Sequence, residues 1–146
     1  LFGVDAILQG PTLWPLEVNP RYTASVEVLE RARGWLAMSL HVEACQHARL
    51  PAAAPHSSTL PRSCGKAILY ARRNVALGGR FEELVAQWNQ AADWPTLTDI
   101  PPPGSVIGAR RPICSIHAKG VDLETVADQL RALAAELEAN LYHERG

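Results

Sequence analysis

The amino-acid sequence predicts an α+β fold, in which a β-hairpin and two helices are followed by a small β-rich domain with a long C-terminal helix. Three observations predict it. Two apolar, extended stretches at residues 2–8 and 13–19 flank the turn signal Gln9-Gly10-Pro11-Thr12. Three prolines and several small residues fill the stretch 50–63 and separate the two halves of the chain. Leucine and valine then recur at helical spacing over residues 122–142.

The first domain is predicted to span residues 1–49 and to contain the hairpin and two helices. A proline ends the second strand, and Thr23 or Ser25 can cap the helix that follows. Gly34 ends that helix, and a second helix is expected at residues 35–49. The apolar stripe of the first helix is expected to consist of Val28, Leu29 and Ala32.

The second domain is predicted to span residues 64–146, after a linker at residues 50–63. Its other elements are predicted as strands at 65–75, 105–107 and 112–118, a short helix at 81–88 and a rigid turn at 99–104. The last helix, at residues 122–142, is the most regular element, and Asp122 can be its N-cap. Its apolar stripe either packs in the core or forms an oligomer surface. The stripe consists of Leu123, Val126, Leu130, Leu133, Leu137 and Leu141.

The composition excludes several classes of protein. A formal net charge of −1 gives no basic surface for nucleic acid or for an anionic membrane. No apolar stretch approaches the roughly 18 residues that a bilayer span needs. Three widely separated cysteines predict buried thiols in a cytoplasmic protein, rather than a disulfide framework or a zinc site. The chain begins within a predicted strand and without an initiator methionine, which predicts a piece of a longer protein.

The residues that carry candidate chemistry lie on the predicted hairpin. Glu17 and Asn19 are two residues apart on one strand and therefore project to one face. Asp5 lies on the partner strand, where paired side chains are roughly 5–8 Å apart. Two carboxylates and an amide oxygen form the kind of site that Mg²⁺ prefers. Because Asn-Pro is also a common turn dipeptide and a strand glutamate is usually solvated, the residues alone leave both a metal site and a solvated strand end open.

The segment Leu16-Glu17-Val18-Asn19-Pro20-Arg21 resembles the Glu-x-Asn-Pro-Arg motif of the ATP-grasp superfamily. The likeness is greatest to the branch that contains biotin carboxylase and the large subunit of carbamoyl-phosphate synthetase. The strand that carries Asp5 also fits the strand that precedes this motif there. More weakly, residues 65–71 and the later Pro-Gly and Ala-Lys-Gly segments are similar to the small β-rich domain of carboxylase-type enzymes. Overall the chain resembles the C-terminal part of the predicted ATP-dependent carboligases related to biotin carboxylase.

The resemblance implies the end of an ATP-grasp domain, residues 1–49, followed by a small β-rich domain. It implies Asp5, Glu17 and Asn19 as ligands of the Mg²⁺ or Mn²⁺ that accompanies ATP, with Glu17 and Asn19 at the nucleotide. It implies Arg21 as the catalytic residue that contacts the substrate or an acyl phosphate. Ser25, near a helix start, is a weaker candidate for a substrate contact and equally a capping residue.

The implied enzyme phosphorylates a small carboxylate substrate with ATP and passes the acyl group to a nucleophile such as an amine. The lobes that hold the ATP phosphates in this superfamily are missing, so the isolated chain is expected to be inactive and to need those lobes as partners. After Arg21 the sequence lacks the Gln-Val-Glu-His of biotin carboxylases, which argues against biotin carboxylation. A homo-oligomer is possible. The alternative is a non-catalytic accessory domain that binds a partner through the proline-rich turn and the terminal helix.

Overall fold

A computed structural model describes residues 1–49, 63–90 and 94–142. The described residues form four helices and three small sheets, so the structure is a mixed α+β structure, as predicted. The chain divides into two compact units, Leu1–Pro61 and Arg62–Gly146. The division falls within the predicted linker, of which residues 50–62 lie outside the described residues and Ser63 begins a strand.

The first unit consists of a hairpin and two helices. Strands β1 (Gly3–Gln9) and β2 (Thr12–Asn19) pair antiparallel, and Gly10 takes a positive φ of 57° in the turn between them. Helices α1 (Ala24–Arg33) and α2 (Ala37–His47) follow. A β-bulge between Asp5 and Ala6 shifts the register partway along the hairpin.

One face of the hairpin is apolar. Residues that lie directly opposite each other in an antiparallel pair share a face, and the even-numbered residues of β1 pair with Val18, Pro15 and Leu13. That face therefore carries only apolar side chains, and they are exposed. We call these residues the apolar face: Val4, Ala6, Leu8, Leu13, Pro15 and Val18.

Helix α1 corrects two predictions. It buries Val26 and Glu30, whereas Leu29 of the predicted stripe is 51% exposed. The stripe was predicted from apolar side chains alone, so the buried carboxylate of Glu30 was not expected. Thr23 takes the N-cap position, but its side chain makes no capping hydrogen bond. Its hydroxyl lies 2.8 Å from the Ser25 hydroxyl instead.

The second unit contains the remaining elements. They are β3 (Ser63–Tyr70), β4 (Val75–Ala76), α3 (Gly79–Gln90), β5 (Leu97–Thr98), β6 (Val106–Ile107), β7 (Pro112–Gly120) and α4 (Leu123–Tyr142). One antiparallel sheet has the order β3-β7-β5, and β4 pairs with β6. The predicted strand at 65–75 is wrong in its second half, because the chain leaves β3 at Ala71, which exchanges backbone hydrogen bonds with Arg110 and Arg111. The predicted helix at 81–88 extends two residues further at each end. The predicted strand at 105–107 is present as β6, whereas β5 was not predicted.

Helix α4 packs on the β3-β7-β5 sheet through its apolar stripe. Val126 and Leu137 are buried, and Leu130, Leu133 and Leu141 pack against the core. Gly65 on β3 permits this approach, because a Cβ there would lie 2.6 Å from Val126 Cγ1. The stripe prediction is wrong only at Leu123, which is 75% exposed at the start of the helix.

The start of α4 is capped as predicted. Asp122 Oδ1 accepts a hydrogen bond from the backbone N–H of Thr125 at 2.8 Å. Hydrogen bonding to the Thr125 side chain first, and then to its backbone, lowers the pKa of the Asp122 carboxyl. Across the described ranges, no helix combines the length and the apolar character that a membrane span would need.

The cysteines are only partly as predicted. All three lie in the described ranges, and none forms a disulfide. Cys114 is buried, and burial, with the nearby Asp99 carboxylate, raises the pKa of its thiol to about 11. Such a thiol is inert at neutral pH. The prediction of buried thiols is wrong for Cys45, which is exposed on α2.

Asp99 anchors the start of the proline-rich turn in the second unit. Its φ is +54°, a conformation that Asp and Asn adopt more readily than other residues that have a side chain. Its Oδ2 accepts a hydrogen bond from the buried Ser115 hydroxyl at 2.6 Å and lies 3.3 Å from the Lys66 ammonium. The hydrogen bond from Ser115 first, and then Lys66, lower the pKa of the Asp99 carboxyl.

These contacts predict a pH-dependent contribution of Asp99 to stability. Because the pKa of Asp99 is lower in the folded than in the unfolded chain, its contribution is present above the unfolded pKa of about 4 and is lost as the pH falls through the folded value. Since the side chain is 67% exposed, we expect Asp99→Asn to lower the free energy of unfolding by only about 0.2–1 kcal/mol at pH 7. That difference should shrink below about pH 4 in urea titrations.

Asp128→Asn is the matched control for this prediction. Asp128 accepts a hydrogen bond from Arg131 at 2.7 Å, but both side chains lie on the exposed surface of α4. Its replacement should change the stability less than Asp99→Asn does at pH 7. Equal responses of the two variants at both pH values would contradict the assignment of a stabilising role to Ser115 and Lys66.

Candidate metal centre

Asp5 and Glu17 lie directly opposite each other in the hairpin. The register pairs Asp5 with Glu17, one step before the bulge, so both carboxylates project from the same face. Both residues are exposed. The sequence-predicted pairing across the two strands is therefore present, and it places two negative charges side by side on a solvent-accessible surface.

Asn19 joins the two carboxylates. It lies opposite Gly3, on the same face as Glu17, and its Nδ2 donates a hydrogen bond to Asp5 Oδ2 at 3.2 Å. A metal ion would require the amide oxygen of Asn19 rather than its nitrogen, and a half-turn of the amide group exchanges the two atoms. The three predicted ligands thus share one end and one face of the hairpin.

Arg21 lies just beyond the strand end. Its backbone N–H donates to the Asn19 carbonyl at 2.8 Å, which forms a tight turn after the candidate ligands. Its guanidinium is exposed and makes a long 3.4 Å contact with the Tyr22 carbonyl. Glu27, an acidic neighbour with which Arg21 could have paired, lies 3.1 Å from Arg31. The Arg21 fork is thus available to an anionic group.

Ser25 contacts Thr23, whose side chain packs against the start of β1. A Cβ on Gly3 would lie 2.8 Å from Thr23 Cγ2, so the Thr23 side chain packs against the start of β1 on the side of Asn19. The Ser25 hydroxyl lies 2.8 Å from that of Thr23. The weak substrate contact predicted for Ser25 stays a prediction, since nothing in these contacts distinguishes a substrate contact from a local hydrogen bond.

The chemistry of this donor set fits a hard cation. Mg²⁺ is commonly held by one or two carboxylates, with waters and phosphate oxygens at the remaining positions. In the described ranges, no group of three or more His, Cys, Asp and Glu side chains could hold a metal ion. Two carboxylates and one amide would therefore supply only part of an octahedron and would leave room for a nucleotide.

Glu30 is the polar residue of this unit that the sequence interpretation missed. Its Oε2 accepts a 2.5 Å hydrogen bond from the Tyr22 hydroxyl, and its Oε1 accepts one of 2.5 Å from the backbone N–H of Ala37, the first residue of α2. Partial burial, with the hydrogen bond to Glu30, raises the pKa of the Tyr22 phenol. From the second half of α1, Glu30 thereby links the turn after Arg21 to the start of α2. Its position four residues after Val26, on the same helix face, was the available signal.

Comparisons with known proteins give no relative. The chain matches no protein family, no curated protein and no solved structure. Function is therefore inferred from the residues, their placement and the resemblance of residues 16–21 to a motif.

Proposed function

We propose that this chain is the C-terminal part of an ATP-dependent carboxylate ligase of the ATP-grasp type, and that the hairpin carries the metal-binding end of its active site. The observation that carries the proposal is the placement of Asp5 opposite Glu17, with Asn19 bonded to Asp5 on the same face. The motif resemblance predicts these three ligands, and the hairpin register is compatible with that role.

The residues divide the proposed work between ion and substrate. Asp5, Glu17 and Asn19 would hold Mg²⁺ or Mn²⁺, which neutralises charge on the phosphates as ATP phosphorylates a carboxylate substrate. Arg21 would bind the carboxylate or the acyl phosphate through its planar fork. The intermediate would then be attacked by a nucleophile such as an amine, with release of phosphate.

The apolar face supports a larger protein around this hairpin. A two-stranded hairpin is marginally stable alone in water, and here Leu8, Leu13 and Val18 are 60% exposed or more. The missing ATP-binding lobes of the ligase would cover this face. We also propose a cytoplasmic location, because the three cysteines, all in the described ranges, form no disulfide.

The same exposed face also favours the alternative, a non-catalytic accessory domain whose hairpin binds a partner subunit. The sequence predicted partner binding through the proline-rich turn and the terminal helix. Because the leucine stripe of that helix, α4, packs against the core of the second unit, the hairpin is here proposed as the partner surface. Metal binding separates the two proposals, because an accessory domain has no need of an ion at Asp5 and Glu17.

A titration of the chain with Mn²⁺ tests the metal site. Mn²⁺ broadens NMR signals of nearby nuclei, so we expect selective loss of signals at both strands around Asp5 and Glu17. Glu17→Gln should lower the affinity for Mn²⁺ at least about tenfold, since even partners outside the first coordination sphere change metal affinity 10- to 100-fold. Glu43→Gln is the control, because Glu43 is an exposed carboxylate on α2 of the same unit. Uniform broadening at all exposed carboxylates, or equal effects of the two variants, would contradict the metal assignment.

A further inference from the structure

A small apolar cavity lies in the second unit, between α3 and the proline-rich turn. Its volume is about 170 Å³. The buried side chains of Leu77 and Phe81 form its floor, and Val85 and Ala86 form the helix side. The opposite wall consists of Ile100 and the three prolines 101–103. A cavity lined in this way favours a flat apolar group.

The wall opposite the helix is held in place at both ends. At one end, Asp99 is bound by Ser115 and Lys66. At the other, the N–H of Gly104 donates to the Leu77 carbonyl at 3.1 Å, and the N–H of Leu77 donates to the Ser105 carbonyl at 2.9 Å. Three consecutive prolines fix the φ angles between the two anchors. A ligand would therefore lose little free energy in ordering this wall.

Glu82 is the acidic side chain among the lining residues. It lies on α3 between Phe81, on the floor, and Val85, on the helix side, and it is exposed. Among the described residues, no basic side chain lines the cavity. A ligand with an apolar ring and an adjacent cation would place the ring in the cavity and the charge beside the Glu82 carboxylate. An anionic ligand of the same shape would be repelled.

We propose that this cavity binds small primary amines that carry a phenyl-sized apolar group. The size fits a phenyl group, because an enclosed apolar cavity of about 150 Å³ accommodates benzene. The present cavity is open to solvent, so an amine on the ring can stay hydrated beside Glu82. With about eight non-hydrogen atoms, such a ligand should bind with a dissociation constant of about 1 mM. The exposed ion pair with Glu82 should add about two- to fivefold to the affinity, and salt should reduce that gain.

Three probes of similar size test the proposal: benzylamine, which is protonated at neutral pH, benzyl alcohol, which is neutral, and benzoate, which is an anion. In NMR titrations of the chain, we expect saturable shifts of the signals of Phe81, Val85 and Ile100. The expected order of affinity is benzylamine, benzyl alcohol, benzoate. The difference in affinity between benzylamine and benzyl alcohol should narrow at high salt.

Two variants on adjacent positions of α3 sharpen the test. Glu82→Gln should make the affinities for benzylamine and benzyl alcohol equal, and the affinity for the alcohol should not change. Glu83→Gln, which changes an exposed carboxylate that does not line the cavity, should leave the preference for the amine intact. The proposal is overturned if benzylamine does not saturate below about 20 mM, well above the expected constant, or if the shifts lie elsewhere. It is also overturned if the alcohol binds as well as the amine, or if the two variants behave alike.

Discussion

Leu137→Ala is expected to lower the free energy of unfolding of the second unit by about 2–5 kcal/mol. Leu137 is fully buried where α4 packs on the β3-β7-β5 sheet, at 0% exposure, beside core residues that include Ile116 and Leu69. The substitution removes buried apolar surface and leaves a cavity in a core to which the β3-β7-β5 sheet, α4 and α3 all contribute. For a unit of this size, the melting temperature should fall by about 8 °C or more. Thermal unfolding followed by NMR signals of β7 and α4 measures the loss in this unit alone.

Leu123→Ala is the matched control on the same helix. Leu123 belongs to the same predicted stripe but is 75% exposed, so its replacement should change the stability by less than about 0.5 kcal/mol. The pair also decides between the two interpretations of the stripe, as core or as oligomer surface. If Leu137→Ala left the stability unchanged and instead altered the concentration dependence of self-association, the stripe would be an interface.

Strong local patterns predicted the long elements of this fold. The turn Gln9-Gly10-Pro11-Thr12 predicted the hairpin, and the repeated leucines with Asp122 in front predicted α4 and its cap. Short elements carry too few residues for any period to show. β5 and β4 have two residues each. β5 forms its hydrogen bonds with the longer strand β7, and β4 forms its own with the equally short β6. Such strands depend on tertiary pairing, which the local sequence does not contain.

The placement of the polar residues on the hairpin followed from the local sequence, whereas the partners of polar residues elsewhere did not. The spacing of Glu17 and Asn19 is a property of one strand, and a single turn connects it to the strand of Asp5. By contrast, the buried role of Glu30 depends on Tyr22 and on the first N–H of α2. The roles of Asp99 and Ser115 likewise depend on a contact between residues 16 apart in sequence. The helical spacing from Val26 places Glu30 on the buried face of α1, but hydrogen-bond partners that lie 7, 8 or 16 residues away leave no periodic signal of their own.

In the ligase proposed to contain this chain, Glu17→Gln should lower turnover by about 100-fold or more, as does the loss of a single transition-state contact in other enzymes. The substitution keeps the size of the side chain but would remove one negative ligand of the proposed ion, whose role would be to neutralise charge on the phosphoryl group. Because Glu17 is exposed on the hairpin, the protein should stay folded. Raised Mg²⁺ or Mn²⁺ should restore part of the activity, since the lost ligand weakens ion binding.

Arg21→Ala is the contrasting variant, because the two residues are proposed to act on different partners. Its loss would remove the proposed charge-assisted hydrogen bond to the substrate or the acyl phosphate, worth about 1.5–3 kcal/mol or roughly 10- to 150-fold in rate. Added metal should not restore that loss. If Arg21 were only a structural residue, the variant would melt at a lower temperature, and its folded fraction would turn over at nearly the normal rate. Turnover measured against metal concentration, with thermal unfolding of both variants, separates these cases. Metal rescue of Arg21→Ala, or full activity of Glu17→Gln, would show that the roles of the two residues are wrongly assigned.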